Sequence, residues 1–340
     1  MANAVESNFS RDGIGEGRRH MKIVYNGEMD SRAFKDVLSK EIPALATKDP
    51  NFIYLDADLM SCIGTTKWAS ENPTKAINCG IAESNMIGVA AGLAAVGFKP
   101  ICHTFGTFAS RRCFDQVFLA GGYADNDLTV IGTDPGICAA FNGGTHMPFE
   151  DMALYRAIPT ATVMDIADSE QLASVLHQIG GIKGVKYIRV NRKNAAKIYA
   201  EGSETPIGKG ITLREGKDAV VFASGIMVHE ALIAAKELAK DGVEITVVDM
   251  FTVKPIDKEC VVKYASETGA VVTAENHNKI GGLHSAVVDV LIEEELVPVE
   301  CVAVEDMYGE VGPQDYLRIK FDLTSDHIVR KVRKAISRKI

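Results

Sequence analysis

Three short runs hold the residue types that do chemistry. In Asn78-Cys-Gly-Ile-Ala-Glu-Ser-Asn-Met-Ile-Gly-Val-Ala-Ala-Gly-Leu, Glu83 falls in the first turn of an Ala/Gly-rich helix, directly after a strand. An acid there complements the helix macrodipole, and that is its plainest role. The residues downstream, however, offer no side-chain cation to pair with a buried carboxylate, which must then meet a ligand or have its pKa raised. In His103-Thr-Phe-Gly-Thr-Phe-Ala-Ser-Arg-Arg, Phe105 and Phe108 stand three apart, at helical spacing, after another strand. Core packing explains such a pair, but a strand-to-helix turn at a sheet's carboxyl edge is also where α/β proteins bind ligands. In Phe141-Asn-Gly-Gly-Thr-His-Met-Pro-Phe-Glu-Asp, two glycines allow close backbone approach beside His146, just ahead of a Pro-started helix. A lone loop histidine is usually a hydrogen-bonded surface residue. Beside a glycine pair, and at the same edge as the other runs, it is a candidate general acid–base.

Strands and turns must bring these runs together. Asp30 and Ser31 supply an N-cap for an amphipathic helix at Arg32-Ala-Phe-Lys-Asp-Val-Leu. Asn51-Phe-Ile-Tyr-Leu-Asp-Ala-Asp reads as a buried strand ending in acids, and Lys75-Ala-Ile-Asn-Cys as a short one. Residues 82–96 form a helix apolar on nearly every side, which predicts that it is buried. Strands follow at 99–103, 128–132, 162–165 and 186–190, with helices near 109–123, 149–155 and 169–179 between them. The pattern breaks at Asn194. A second set then begins, with strands at 219–223, 244–249, 270–274 and 299–304 and helices at 228–240, 258–268, 282–294 and 327–340. Such alternation predicts mostly parallel sheets covered on both faces. The expected class is α/β with two doubly wound domains, 22–194 and 210–340, a linker at 195–209 and a flexible tail at 1–21.

Composition narrows the function classes. The 340 residues carry 37 Lys plus Arg against 45 Asp plus Glu, a net charge of −8, which argues against non-specific nucleic-acid binding. The longest uncharged stretches, 84–98 and 135–149, fall short of the roughly 20 residues of a membrane span. Seven cysteines without a CxxC, most of them inside apolar runs, read as reduced buried thiols and point to the cytoplasm.

The three runs in this order resemble the transketolase family of thiamin-diphosphate enzymes, and "AENHNKIGGLHSAV" extends the likeness into the second half. The resemblance implies a pyrimidine-binding domain followed by a transketolase C-terminal domain. Glu83 matches the glutamate that hydrogen-bonds N1′ of the aminopyrimidine and favours the imino tautomer, whose 4′-nitrogen takes the C2 proton. Burial would keep it protonated enough to donate. Phe108 matches the aromatic stacked on that ring and Phe105 its neighbour. Asp58 matches an acid near the cofactor at the subunit interface, although capping backbone amides at a strand end would explain it equally. His146 matches the histidine that hydrogen-bonds the donor ketose. Arg32 and Arg192 match the pair that hold its terminal phosphate, with a solvated helix charge as the other reading of Arg32.

The family's Gly-Asp-Gly motif, which binds the diphosphate and Mg²⁺, does not occur in the sequence. The chain therefore looks like the second half of a split transketolase. No metal ligand is expected here; the Mg²⁺ and the diphosphate would lie on an N-terminal partner subunit, in a heterotetramer active only when assembled. Three positions depart from the family: Cys62 for a phosphate-binding serine, Thr133 for a histidine, and Asn142 for an aspartate that reads a sugar hydroxyl. Two arginines still imply an anionic tail, phosphate or sulfonate, and the departures admit a sulfonated ketose. The leading expectation is two-carbon ketol transfer from a ketose to an aldose. The alternatives are a 2-oxoacid dehydrogenase β-type subunit, a 1-deoxyxylulose-5-phosphate synthase-like enzyme, and a silent stabilising partner. His277 and His284 have ligand-like spacing but no evident third ligand, so a structural role is expected for them.

Overall fold

The computed structural model describes residues 21–339. The expected tail, apart from Met21, lies outside the described residues. Strands β1 (Phe52–Asp56), β2 (Ala76–Asn78), β3 (Lys99–Phe105), β4 (Leu128–Thr133), β5 (Thr162–Asp165) and β6 (Val185–Val190) form one sheet. β7 (Ile211–Arg214), β8 (Ala219–Ala223), β9 (Ile245–Asp249), β11 (Val271–Asn278) and β12 (Val299–Val304) form a second, in the order β12-β11-β8-β9-β7. β10 (Thr252–Lys254) comes from the second half of the chain yet closes the first sheet, whose order is β10-β5-β6-β4-β3-β1-β2. Only β10 and β7 run antiparallel. Every residue of β1, β4, β5, β6, β8 and β9 is buried, as expected for sheets sandwiched between helix layers.

Register sets up the site. Asp56 pairs with Asn78 and His103, Phe105 with Thr133, and Thr133 with Val190. The parallel strands therefore end level, and the turns after β1, β2, β3, β4 and β6 open on one edge.

Several elements depart from the sequence reading. The first helix is Phe34–Lys48, starting two residues later than expected, with Ala33 rather than Asp30 or Ser31 at its N-cap. Asp36 closes it by accepting from Ala33 N, which leaves Asp30 to other partners. The helix Glu83–Ala95 is not buried all round. Met86, Ile87, Ala90 and Ala91 face the core, whereas Gly88, Val89 and Gly92 face outward. The expected helix at 109–123 is irregular, with wide turns over Phe108–Arg112 and Val117–Tyr123. The segment read as a linker is fastened by bridges Ile23–Tyr199 and Met29–Ala196 and is partly buried, at Ala195, Ala196, Ile198, Tyr199, Ser203 and Thr205.

The two sheets are joined by buried polar contacts. Asp249 Oδ2 of β9 accepts from Gln171 Nε2 (2.8 Å) and Tyr199 Oη (2.7 Å). Arg189 of β6, fully buried, donates from Nε to Asp151 (2.8 Å), has Nη1 3.3 Å from Asp165, and donates from Nη2 to the carbonyl of Asn276 on β11.

Candidate active site

Glu83 is 2% exposed at the head of its helix, where no side chain caps it. A cation does reach it, contrary to the sequence expectation: Arg112 Nη1 donates to both carboxylate oxygens, at 2.9 and 3.0 Å. The same guanidinium lies 4.0 Å from the centre of the Phe108 ring. Phe108 and Arg112 are four apart on the wide turn, and so share a face. That i, i+4 spacing was the available signal for Arg112. Wide turns of this kind are frequent at functional sites.

Phe105 and Phe108 are 6.3 Å apart, ring centre to ring centre. His146 packs edge-on to both, at 6.1 and 5.1 Å, with Nδ1 2.9 Å from Thr145 Oγ1. Thr107, Phe108, Arg111, Arg112, Thr145 and His146 line a shallow pocket. Glu150, which ends the Thr-His-Met-Pro-Phe-Glu run, faces Arg111 Nε at 3.0 Å; burial pushes its carboxyl up, and the Arg111 charge opposes that. Gly144 lets the His146 loop touch the second half of the chain, since a Cβ there would lie 2.2 Å from Gly309 O.

Arg192, after β6, has its guanidinium 4.8 Å from the centre of the Phe105 ring, with Cys62 as a neighbour. Asp134 turns out of β4 with φ +55°, and its carboxylate accepts from Arg192 N (3.2 Å) and Nε (2.7 Å) and also pairs with Nη2. Arg32 is not a solvated helix charge. It precedes the helix, donates to Ser169 Oγ (3.2 and 3.1 Å) and pairs with Glu170 (2.6 Å). Lys35 N donates to Arg192 O, so the two arginine segments are neighbours.

Asp58 is exposed just beyond β1, with φ +65°, and accepts from Asn78 Nδ2 at 2.9 Å. Asn78 Oδ1 in turn accepts from Gly80 N, tying Asp58 to the turn that leads to Glu83. Asn142 is exposed at the start of the glycine pair. Thr133 does not face the pocket. It is fully buried, 3.2 Å from His103 Nε2, while His103 Nδ1 lies 2.7 Å from Asp56. This buried Asp56–His103–Thr133 chain ties β1, β3 and β4 together behind the site, and sequence reasoning missed it.

A buried acid joined through Arg112 to an aromatic ring suits a flat, nitrogen-bearing heteroaromatic ring: the phenylalanines offer stacking area and the carboxylate an acceptor or shared proton. Among the described residues no three His, Cys, Asp or Glu side chains are placed to hold a metal ion. His277 is buried, its Nδ1 2.7 Å from Asn278 O, and burial pushes its pKa down to about 4; His284 meets Thr273.

Residues 30–197 match the transketolase pyrimidine-binding domain and residues 208–328 the transketolase C-terminal domain. The chain is 49% identical to the 6-deoxy-6-sulfo-D-fructose transketolase subunit SqwH of Clostridium sp. (strain MSTE9), over 94% of this chain and 99% of that one. It is 30% identical to the transketolase of Mus musculus over 91% of its own length, spanning 50% of the mouse protein. A solved split-gene transketolase, an inactive β4 tetramer, superposes with a TM-score of 0.83 at 38% identity, over 91% of this chain and 99% of that one. Two family models in tandem, and relatives of the same extent, leave one assignment: this chain belongs to the transketolase family, as a subunit of a split enzyme that transfers ketol groups.

Proposed function

We propose that Glu83, Phe105 and Phe108 form the half-site for the aminopyrimidine ring of thiamin diphosphate, whose diphosphate and Mg²⁺ are held by an N-terminal partner chain. The assembled enzyme then moves a two-carbon ketol unit from a ketose with a sulfonate tail to an aldose. The observation carrying this reading is the buried Glu83 carboxylate, held by the guanidinium that lies over the Phe108 ring. The sulfonate rests on the relative that is a 6-deoxy-6-sulfo-D-fructose transketolase subunit, together with the two arginines after β6 and before the first helix.

When bound, the coenzyme supplies the electron sink that makes the ketose carbon–carbon bond cleavable. This chain supplies orientation and proton handling. Glu83 shares a proton with the ring nitrogen, and Phe108 offers the stacking face. His146 hydrogen-bonds the donor sugar near its reacting carbonyl. Arg32 and Arg192 hold the anionic tail, Cys62 and Asn142 line the channel between, and Asp58 lies where the two chains meet.

Assembly into a heterotetramer has a surface to use. The outward Gly88, Val89 and Gly92 face, with exposed Ile81, Leu119 and Tyr123 near it, is apolar and lacks a partner within the described residues. The seven free thiols fit a reducing cytoplasm, where we place the enzyme.

The test is reconstitution. The chain alone should transfer no ketol group; mixed with its partner chain, thiamin diphosphate and Mg²⁺ it should do so. Glu83→Gln should slow exchange of the coenzyme C2 hydrogen, followed by proton NMR in the assembled enzyme, by about a hundredfold or more. Activity from the chain alone, or unchanged exchange in the variant, would overturn the reading.

A further inference from the structure

Each arginine proposed to hold the sugar's tail already carries a carboxylate. Asp134 takes Arg192 through Nε and Nη2, and Glu170 takes Nη2 of Arg32 at 2.6 Å. A third acid, Asp30, accepts from Arg32 N (3.0 Å) and Ser169 Oγ (2.5 Å) and is faced by Lys197. Three cations therefore meet three carboxylates, whose charges cancel among themselves, with Asp168 behind Glu170 and Lys35 and Lys193 in the arginine segments. Asp134 and Glu170 are almost wholly buried, whereas the guanidiniums are partly open, at 23% and 32% of their side-chain surface. In neither arginine is Nη1 paired with a carboxylate among the described residues, so each keeps a donor edge for an incoming oxygen.

Such a site gives an anion hydrogen bonds but little net charge. A sulfonate is a monoanion at any physiological pH. A phosphate monoester carries about −1.5 to −2 at pH 7, its second proton leaving near pH 6. The second charge would sit beside two carboxylates that already occupy the two arginines, and like-charge juxtaposition is how a site rejects a competitor of the same shape. Resting on the tail placement proposed above, we infer that Glu170 and Asp134 make this pocket select a singly charged sulfonate tail over a doubly charged phosphate tail. Glu170 is the specificity-determining residue of the Arg32 arm; Asp134 has the added task of aiming Arg192.

The experiment compares kcat/KM of the assembled enzyme for a sulfonated ketose and its phosphorylated counterpart. Wild type should prefer the sulfonate at pH 8, and the preference should shrink several-fold by pH 5.5 as the phosphate takes up its second proton. Glu170→Gln keeps an acceptor for Gly202 N, which Glu170 Oε1 holds at 2.7 Å, while removing the charge. It should lower the sulfonate preference about tenfold, mainly through KM for the phosphorylated donor, and flatten the pH dependence of the ratio. A ratio that is independent of pH in wild type, or unchanged by the variant, overturns the inference. Arg192→Ala separates the underlying reading: if neither donor loses kcat/KM in that variant, the tail does not bind at these arginines at all.

Discussion

Glu83 and Phe108 share a single guanidinium, so the residue that orients the acid also covers one of the two faces of the Phe108 ring. A nearly buried carboxylate deprived of its cation costs several kcal/mol in closed sites, and Arg112 is 45% exposed, so solvent discounts the pair. Arg112→Ala should therefore destabilise the chain by about 1–2 kcal/mol in urea unfolding. Most of that loss should vanish in a Glu83→Gln background, where no charge is left stranded; equal losses in the two backgrounds would mean that the pair is not coupled. Glu83, the phenylalanines and His146 were legible in the sequence because each stands in a local run with its own spacing. The Arg112–Glu83, Arg192–Asp134 and Arg32–Glu170 pairs were not, because their partners lie 29, 58 and 138 positions apart and only the folded chain brings them together.

Among the elements, the parallel strands read well, since near-continuous apolar runs leave little choice. β7 and β10 were missed for the opposite reason. Each has only three or four residues, and each owes its place to an antiparallel neighbour elsewhere in the chain. The helix Glu83–Ala95 misled in a more useful way, because its apolarity all round leaves an outward apolar face that the described residues do not cover, the face proposed above for assembly. A Cβ at Gly88 or Gly92 would meet nothing within 4 Å. Gly88→Ala should accordingly leave the isolated chain intact and raise its stability by up to about 1 kcal/mol, the helix-propensity gain over glycine. Gly88→Leu should go further: undiminished melting of the isolated chain with loss of partner binding in analytical ultracentrifugation. Unimpaired assembly with a leucine at that position would remove this face from the interface.

At the scale of the whole molecule, the second half of the chain holds the site loop in place. Asn276 accepts from Ile137 N and donates to Pro135 O, and Gly309 lies against Gly144 and Met147. A Cβ on Gly309 would come 2.6 Å from Met147 Sδ and 3.1 Å from Gly144 Cα, so Gly309→Ala should displace His146. Turnover should fall about tenfold or more while the unfolding midpoint stays nearly constant; unchanged kcat would show that the loop holds without this contact. The junction between the halves also fixes how stability follows pH. Burial pushes Asp249 and Glu275 up to about 7, and Asp168 up to about 6. Asp249 Oδ1 has no hydrogen-bond partner in its buried place, as suits an acid that keeps its proton. Between pH 4 and 7 the folded chain holds protons that the unfolded chain has released, so these acids stabilise most below pH 4 and lose that contribution as pH rises. His277, lowered to about 4, acts in the opposite sense, but only between pH 4 and 6.5. From pH 6.5 to 7 the histidine no longer offsets Asp249 and Glu275, and stability should fall with pH by about 0.7–1 kcal/mol per unit for each of the two, levelling off above pH 7. Asp249→Asn, which keeps an acceptor for Gln171 and Tyr199, removes one of these titrations. Urea midpoints of wild type and variant should therefore diverge in the variant's favour from pH 5 to pH 8, whereas parallel profiles would mean that Asp249 is already ionised in the folded chain.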